Sequence, residues 1–237
     1  MSRFDGRTAV VTGAGSGIGR AIAEALAAEG ARLAILGRRR EPLEELSQTV
    51  GGVRVQTVDL ADVEAAEHAA RELLEHLQRL DLLVHSAGAY ARGELAELDP
   101  ETVSHLWAVN VAAPLRLTQI LLPALRAAGG DVVFLNSSVV SGSAPQVGAY
   151  AATKHALKAV ADSLRAEENE HGIRVLSVYP GRTATPMQET VFALEGRPYS
   201  PERLLQPAEV ARAIVELLHL GTTSEVTDLF IRSRHKQ

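Results

Sequence analysis

Tyr150 and Lys154 stand four residues apart in the run Y-A-A-T-K. On a helix that spacing puts both side chains on one face. The residues that follow, H-A-L-K-A-V-A-D-S-L-R-A, place apolar side chains at Ala156, Leu157, Val160 and Leu164, as a helix requires. A phenol beside an ammonium has a chemical use. An unperturbed tyrosine has a pKa of about 10, and a nearby positive charge favours the phenolate and draws that value toward neutral pH. A tyrosine tuned in this way can give a proton to a developing alkoxide or take one from an alcohol. By itself Y-x-x-x-K is common by chance and fits a helix-surface pair with no role, so its meaning depends on the rest of the chain.

A second stretch with chemical potential lies near the N-terminus. Thr8–Thr12 (T-A-V-V-T) reads as a short buried strand, Gly13-Ala14-Gly15-Ser16-Gly17-Ile18-Gly19 as a glycine-rich turn, and the run from about Arg20 to Glu29 as a helix stopped by Gly30. Strand, glycine turn and helix form a site for a dinucleotide pyrophosphate. Glycines let the backbone approach it, and the helix N-terminus offers free N–H groups and partial positive charge. The spacing G-x-x-x-G-x-G departs from G-x-G-x-x-G, and a plain glycine turn is the alternative. A second strand, Arg32–Leu36, leads into Gly37-Arg38-Arg39-Arg40. In such an arrangement the tip of this strand meets the adenosine ribose, where an acid binds the 2′-hydroxyl of NAD. Here no acid occurs before Glu41. Arg38 can instead pair with a 2′-phosphate through its two-pronged fork, with Arg39 or Arg40 in support. That pattern selects NADP(H), with NAD(H) less favoured; a solvated basic turn is the alternative. Ser16 in the glycine turn is neutral and adds no positive charge, which pulls the other way.

Strands and helices alternate along the rest of the chain. Strands are expected at Val53–Val58, Asp81–His85, Val132–Leu135, Ile173–Val178 and near Glu225–Ile231. Helices are expected from Asp62 to about Gln78, from Asp99-Pro100 toward Arg126 with a kink at Pro114, from Tyr150 to about Glu168, and from Pro207 to about Leu220. The segment 182–206 reads as irregular. Near-continuous apolar strands alternating with helices imply a parallel sheet covered on both faces. The glycine turn, Arg38, Asp59, Ser86–Gly88, Ser137 and Pro180-Gly181 all fall at strand ends, where such sheets bind ligands.

Composition narrows the class. The 237 residues are 46% hydrophobic and 22% charged, with a net charge of −5 and no cysteine. That is ordinary for one α/β domain with a sizeable core. It gives no footprint for nucleic acid and excludes disulfides and thiol chemistry. No stretch reads as a membrane span or as a leader, so a cytoplasmic protein is expected. His68, His76 and His171 show no ligand spacing, and no metal site is read; His85 is read as a structural strand-end residue.

These residues resemble the short-chain dehydrogenase/reductase family. The matches are T-G-A-G-S-G-I-G at Thr12–Gly19, Asp59, S-A-G at Ser86–Gly88, V-N at Val109-Asn110, Ser137, Y-A-A-T-K at Tyr150–Lys154 and P-G-R-T-A-T at Pro180–Thr185. They occur in the family's order over nearly the whole chain. The resemblance implies a single α/β domain, residues 1–237: a Rossmann-type doubly wound sheet of about seven mainly parallel strands with helices on both faces, and a variable substrate loop at about 182–206. It implies hydride transfer between NADP(H) and a small carbonyl or alcohol substrate. Tyr150 would be the acid/base. Lys154 would hold the nicotinamide ribose and lower the tyrosine pKa. Ser137 would bond the substrate carbonyl, and Asn110 would order a relay water behind Lys154. Gly13, Ser16, Gly17, Ile18 and Gly19 would form the pyrophosphate turn. Asp59 would meet the adenine amino group; Ala87, Gly88, Pro180, Gly181, Thr183 and Thr185 would complete the cofactor contacts.

Two departures bear on this reading. Counting thirteen residues back from Tyr150 selects Ser137, yet the family's S-x-x-G spacing is absent and Ser138 is the alternative. His85-Ser86 also replaces the family's common paired asparagines, which is expected to weaken ties between that strand and its neighbours. Tyr90, Gln146, Val147 and the apolar members of the 182–206 segment (Met187, Phe192, Leu194, Tyr199) are candidate substrate contacts. A homodimer or homotetramer is expected by analogy with the family. A nicotinamide-sensing protein without turnover is the alternative function, disfavoured by the full set of Tyr150, Lys154, Ser137 and Asn110.

Overall fold

The β-branched and aliphatic runs become strands in the computed structural model, which describes residues 4–51, 53–221 and 223–235. They are β1 (Thr8–Thr12), β2 (Arg32–Gly37), β3 (Arg54–Thr57), β4 (Leu82–His85), β5 (Asp131–Leu135), β6 (Arg174–Pro180) and β7 (Asp228–Ile231). All six pairings are parallel, in the order β3-β2-β1-β4-β5-β6-β7. The order reverses between β1 and β4. The crevice at their carboxyl ends is therefore the switch point where a ligand can enter between diverging loops.

Alternation along each strand divides the core in two. In β2, Leu33 and Ile35 face one cluster and Ala34 and Leu36 the other. The first cluster packs beneath α1 (Gly17–Ala28), α2 (Arg40–Val50) and α8 (Pro207–Leu218), through Ile22, Leu26, Leu43, Leu46, Val210 and Ile214. The second packs beneath α3 (Val63–His76), α5 (Ala113–Ala128) and α6 (Gly148–Glu168), through Leu73, Leu117, Leu121, Leu157 and Leu164. Each fully buried leucine or isoleucine is worth about 1.5–3 kcal/mol relative to exposure. This two-sided burial is what holds the strand ends in register.

Several elements differ from the expected pattern. Helix α2 was not anticipated: only Leu43 and Leu46 of its R-E-P-L-E-E-L-S-Q-T-V are buried, too few for a clear apolar stripe. The 182–206 segment is not irregular throughout. It contains α7 (Pro186–Leu194), whose cap Thr185 accepts the Gln188 N–H at 3.2 Å and whose first residue is proline. The long helix divides into α4 (Pro100–Trp107), a wide turn over Ala108–Ala112 and α5. In that turn the Ala113 N–H reaches back five residues to the Ala108 carbonyl. The break lies where Pro114 has no N–H for the Asn110 carbonyl four residues before it. Contrary to the sequence expectation, the run Pro100–Ala128 is long and apolar enough to cross a membrane by composition, with a mean hydropathy of 1.3 in its best window; half of that window is buried inside this fold.

Candidate active site

The carboxyl ends of β1, β2, β4, β5 and β6 open onto one crevice of about 490 Å³. Gly13, Ser16, Gly17 and Ile18 line its base, Arg38, Arg39 and Asp59 one end, and Tyr150, Lys154, Tyr90, Met187 and Thr190 the other. Gly13 has φ +67°, and a Cβ there would lie 2.7 Å from the Ala87 Cα. Both the left-handed backbone and the contact require glycine. A Cβ at Gly19 would stand 2.5 Å from the Gly13 carbonyl oxygen, so the helix could not pack so closely on the turn. Ser16 caps α1 without a side-chain bond, which leaves the first amides of α1 directed at the crevice as a cradle for an anion.

At the far end of that cradle, Arg38 and Arg39 line the crevice, and neither has an ion-pair partner among the described residues. Arg40 does not join them. It opens α2, its Nε bonds the Glu44 Oε1 at 2.6 Å, and it does not line the crevice. One Asp59 oxygen takes the Ala61 N–H at 3.0 Å, leaving the other for a donor such as an adenine amino group. The donor set, with its glycine cradle, fits a nicotinamide dinucleotide. Pro180 and Thr185 also line the crevice. Gly181 and Thr183, assigned to the cofactor from the sequence, do not line the crevice. The Gly181 N–H donates to the Ile231 carbonyl at 2.8 Å, and the Thr183 hydroxyl to the Gly181 carbonyl at 3.0 Å. Both residues are occupied in fixing the end of β6.

Tyr150 and Lys154 share a face of α6. The Lys154 Nζ is 5.9 Å from the Tyr150 ring centroid and donates to the Leu135 carbonyl at 2.9 Å. Burial pushes the Tyr150 phenol up to about 12; the Ser137 hydroxyl opposes that rise, and the nearby Tyr90 phenol adds to it. The expected lowering by Lys154 is therefore not met in the protein alone. Desolvation also lowers Lys154 itself, to about 8. Ser137 and Ser138 differ in setting: the Ser137 hydroxyl acts on the Tyr150 phenol to oppose the rise of its pKa and accepts the Val139 N–H at 3.2 Å, whereas Ser138 is exposed.

Asn110 is fully buried, and its carboxamide is already committed. Oδ1 accepts the Ala89 N–H at 2.8 Å, and Nδ2 donates to the Ala89 carbonyl at 2.9 Å and to the Thr153 hydroxyl at 3.0 Å. The side chain is thus a clamp on the loop after β4, and only its main chain is left to hold a relay water. Thr12, which sequence reasoning placed in the glycine motif without a task, compensates for the missing asparagines. Its Oγ1 accepts the Ser86 and Ala87 N–H groups at 3.1 and 3.2 Å and donates to the Val84 carbonyl at 3.3 Å. Thr12 thus ties the end of β1 to β4 and the loop that follows it.

His85 is a structural residue with a defined tautomer. The Thr118 hydroxyl gives its proton to the Pro114 carbonyl at 2.8 Å, so the His85 Nε2, 2.8 Å from that hydroxyl, must be the protonated nitrogen. Nδ1 is buried without a partner, and burial holds the ring's pKa down at about 3. Asn136 was missed by sequence reasoning. It lines the crevice, and its Oδ1 accepts the Ser137 N–H at 3.0 Å, fixing the serine. Among the described residues no cluster of His, Asp and Glu could hold a metal.

Residues 7–196 match the family model described as short chain dehydrogenase, and the chain belongs to the short-chain dehydrogenase/reductase family of oxidoreductases. It is 37% identical over 225 residues to the Bos taurus dehydrogenase/reductase SDR family member 7B, covering 88% of this chain and 69% of that one. Among solved structures, an alcohol dehydrogenase from the archaeon Thermococcus sibiricus, complexed with 5-hydroxy-NADP, is similar with a TM-score of 0.89 and 29% identity over 98% of this chain and 99% of that one. A variant of the actinorhodin polyketide ketoreductase with NADPH is similar with a TM-score of 0.87 and 28% identity, over 98% and 97%.

Proposed function

We propose that this chain is an NADP(H)-preferring carbonyl reductase or alcohol dehydrogenase in which Tyr150 moves the proton. The observation that carries the reading is that Tyr150 and Lys154, one helical turn apart on α6 with the Lys154 Nζ 5.9 Å from the Tyr150 ring centroid, both line the end of the crevice opposite Arg38. A bound nicotinamide dinucleotide supplies or accepts the hydride. The rest falls to residues of this chain. Ser137 donates to the substrate oxygen, and Tyr150 gives its proton to the alkoxide that forms or takes one from an alcohol. Lys154 leaves the Leu135 carbonyl to bond the ribose hydroxyls, where its charge offsets the burial that holds the phenol protonated. The Asn110 main chain, deprived by Pro114 of its α-helical donor, offers the docking point for a water that returns the proton. Asn136 keeps Ser137 aimed at the reacting oxygen.

Arg38 supports the choice of NADP(H), with Arg39 beside it. A charge-assisted hydrogen bond contributes about 1.5–3 kcal/mol, or roughly ten- to a hundredfold in affinity. Comparing kcat/KM for NADPH and NADH in the wild type and in Arg38→Ala tests it. The wild type should prefer NADPH and the variant should lose most of that preference. A wild type that prefers NADH, or a variant that keeps its full preference, rejects the assignment. Any turnover with a ketone, aldehyde or quinone rejects a purely sensing role.

A further inference from the structure

We propose that Tyr90 sets the length of substrate the crevice accepts, by walling it off from a neighbouring groove. The proposal rests on the carbonyl chemistry argued above. The groove, of about 600 Å³ and open to solvent on one side, is lined by Tyr90, Ala91, Asp99, Glu101, Thr102, His105 and Leu106, of which Asp99, Glu101 and His105 are exposed. Only Tyr90 and His105 also line the reaction crevice, so these two side chains form the partition.

They are not equal partners. His105 sits exposed on α4 and has room to turn aside. Tyr90 is held from both ends. The residue before it, Ala89, has its N–H and its carbonyl bonded to the Asn110 carboxamide at 2.8 and 2.9 Å. Its ring meets that of Tyr150 edge-on, with centroids 5.0 Å apart and planes at 64°, an arrangement favoured by aromatic quadrupoles. A carbonyl oxygen placed at the Tyr150 hydroxyl therefore directs one of its substituents at the Tyr90 ring. A compact substituent stops short of the ring, whereas an extended one must displace it or remain in water. Replacing the ring with a methyl group would join the two spaces and let a longer chain lie against Ala91 and Leu106, partly shielded from water.

The test measures binding of 2-butanone and 2-nonanone to the NADPH-loaded protein by saturation-transfer NMR, with kcat/KM for the same pair in parallel. Tyr90→Ala should shift the affinity ratio toward 2-nonanone by about tenfold, the effect of burying two further methylenes. Tyr90→Phe, which keeps the ring and loses only the hydroxyl, should leave the ratio within about twofold of wild type on the same scale. Tyr90→Val, a shortened but still apolar wall, gives the same reading should Tyr90→Ala fail to fold. An unchanged ratio in the shortened variants, or an equal shift in Tyr90→Phe, overturns the proposal. Binding is read without turnover, so a protein that binds both ketones and reduces neither would refute the chemistry while leaving the role of Tyr90 decided by the ratio.

Discussion

Acid should unfold this protein through one imidazole. His85 is 1% exposed, its Nδ1 has no partner, and its folded pKa is about 3 against an ordinary 6.5. Above pH 6.5 the ring is neutral in both the folded and the unfolded chain and contributes no pH dependence. As the pH falls from 6.5 toward 3, the unfolded chain takes up a proton that the folded chain refuses, so stability is lost through that window. The gap of about 3.5 pH units corresponds to about 5 kcal/mol at its limit, at 1.36 kcal/mol per unit, which is comparable with the whole stability of many domains. Some 2 kcal/mol of it should already be gone by pH 5. His85→Gln removes the titration and keeps an amide donor at the position of Nε2 for the Thr118 hydroxyl. Urea unfolding of wild type and variant from pH 7.5 to 5 isolates the effect, because every other group titrates alike in both. The variant will start less stable for loss of the stacking on Phe134, whose centroid is 4.9 Å from that of His85. The difference between the two should nevertheless close by about 2 kcal/mol across the range. A difference that stays constant to within about 0.5 kcal/mol would show that the folded protein accommodates the imidazolium, and would refute the reasoning.

Lys154 should act with the opposite timing. Its folded pKa of about 8 lies below the ordinary 10.5; below pH 8 the charge is carried in both states, and from 8 upward the folded chain releases it first. Stability of the cofactor-free protein should therefore rise between pH 8 and 10, and Lys154→Met should abolish that rise in chemical denaturation; an unchanged slope contradicts it. Thr12→Val strips the acceptor from the Ser86 and Ala87 N–H groups and should cost about 1–3 kcal/mol, measured as a shift of the urea midpoint at constant slope. A loss below about 0.5 kcal/mol would mean that other partners take up those amides.

The strand ends were legible because the chemistry and the punctuation coincide there. Gly13, Arg38, Asp59 and Gly88 each stand just past a short apolar run, and each lines the crevice. Helices α2 and α7 were not read, since each buries only two side chains; the Thr185-Pro186 cap of α7 was a usable signal. Three features needed three dimensions. That the Asn110 carboxamide is spent on Ala89 and Thr153 follows from the meeting of segments 21 and 43 residues apart in sequence. That Arg40 is diverted to Glu44 follows from where α2 begins. That the phenol of Tyr150 is raised rather than lowered follows from burial, which no spacing between Tyr and Lys reveals.

The central claim, that Tyr150 moves the proton, is tested most directly by comparing Tyr150→Phe with wild type for turnover and for NADPH affinity on the same preparations. The ring and its contact with Tyr90 remain and only the hydroxyl is lost. The account predicts that kcat falls by about 10²–10⁴-fold while the dissociation constant for NADPH stays within about threefold. Turnover that survives the substitution, or a loss of activity that tracks an equal loss of cofactor binding, would contradict it.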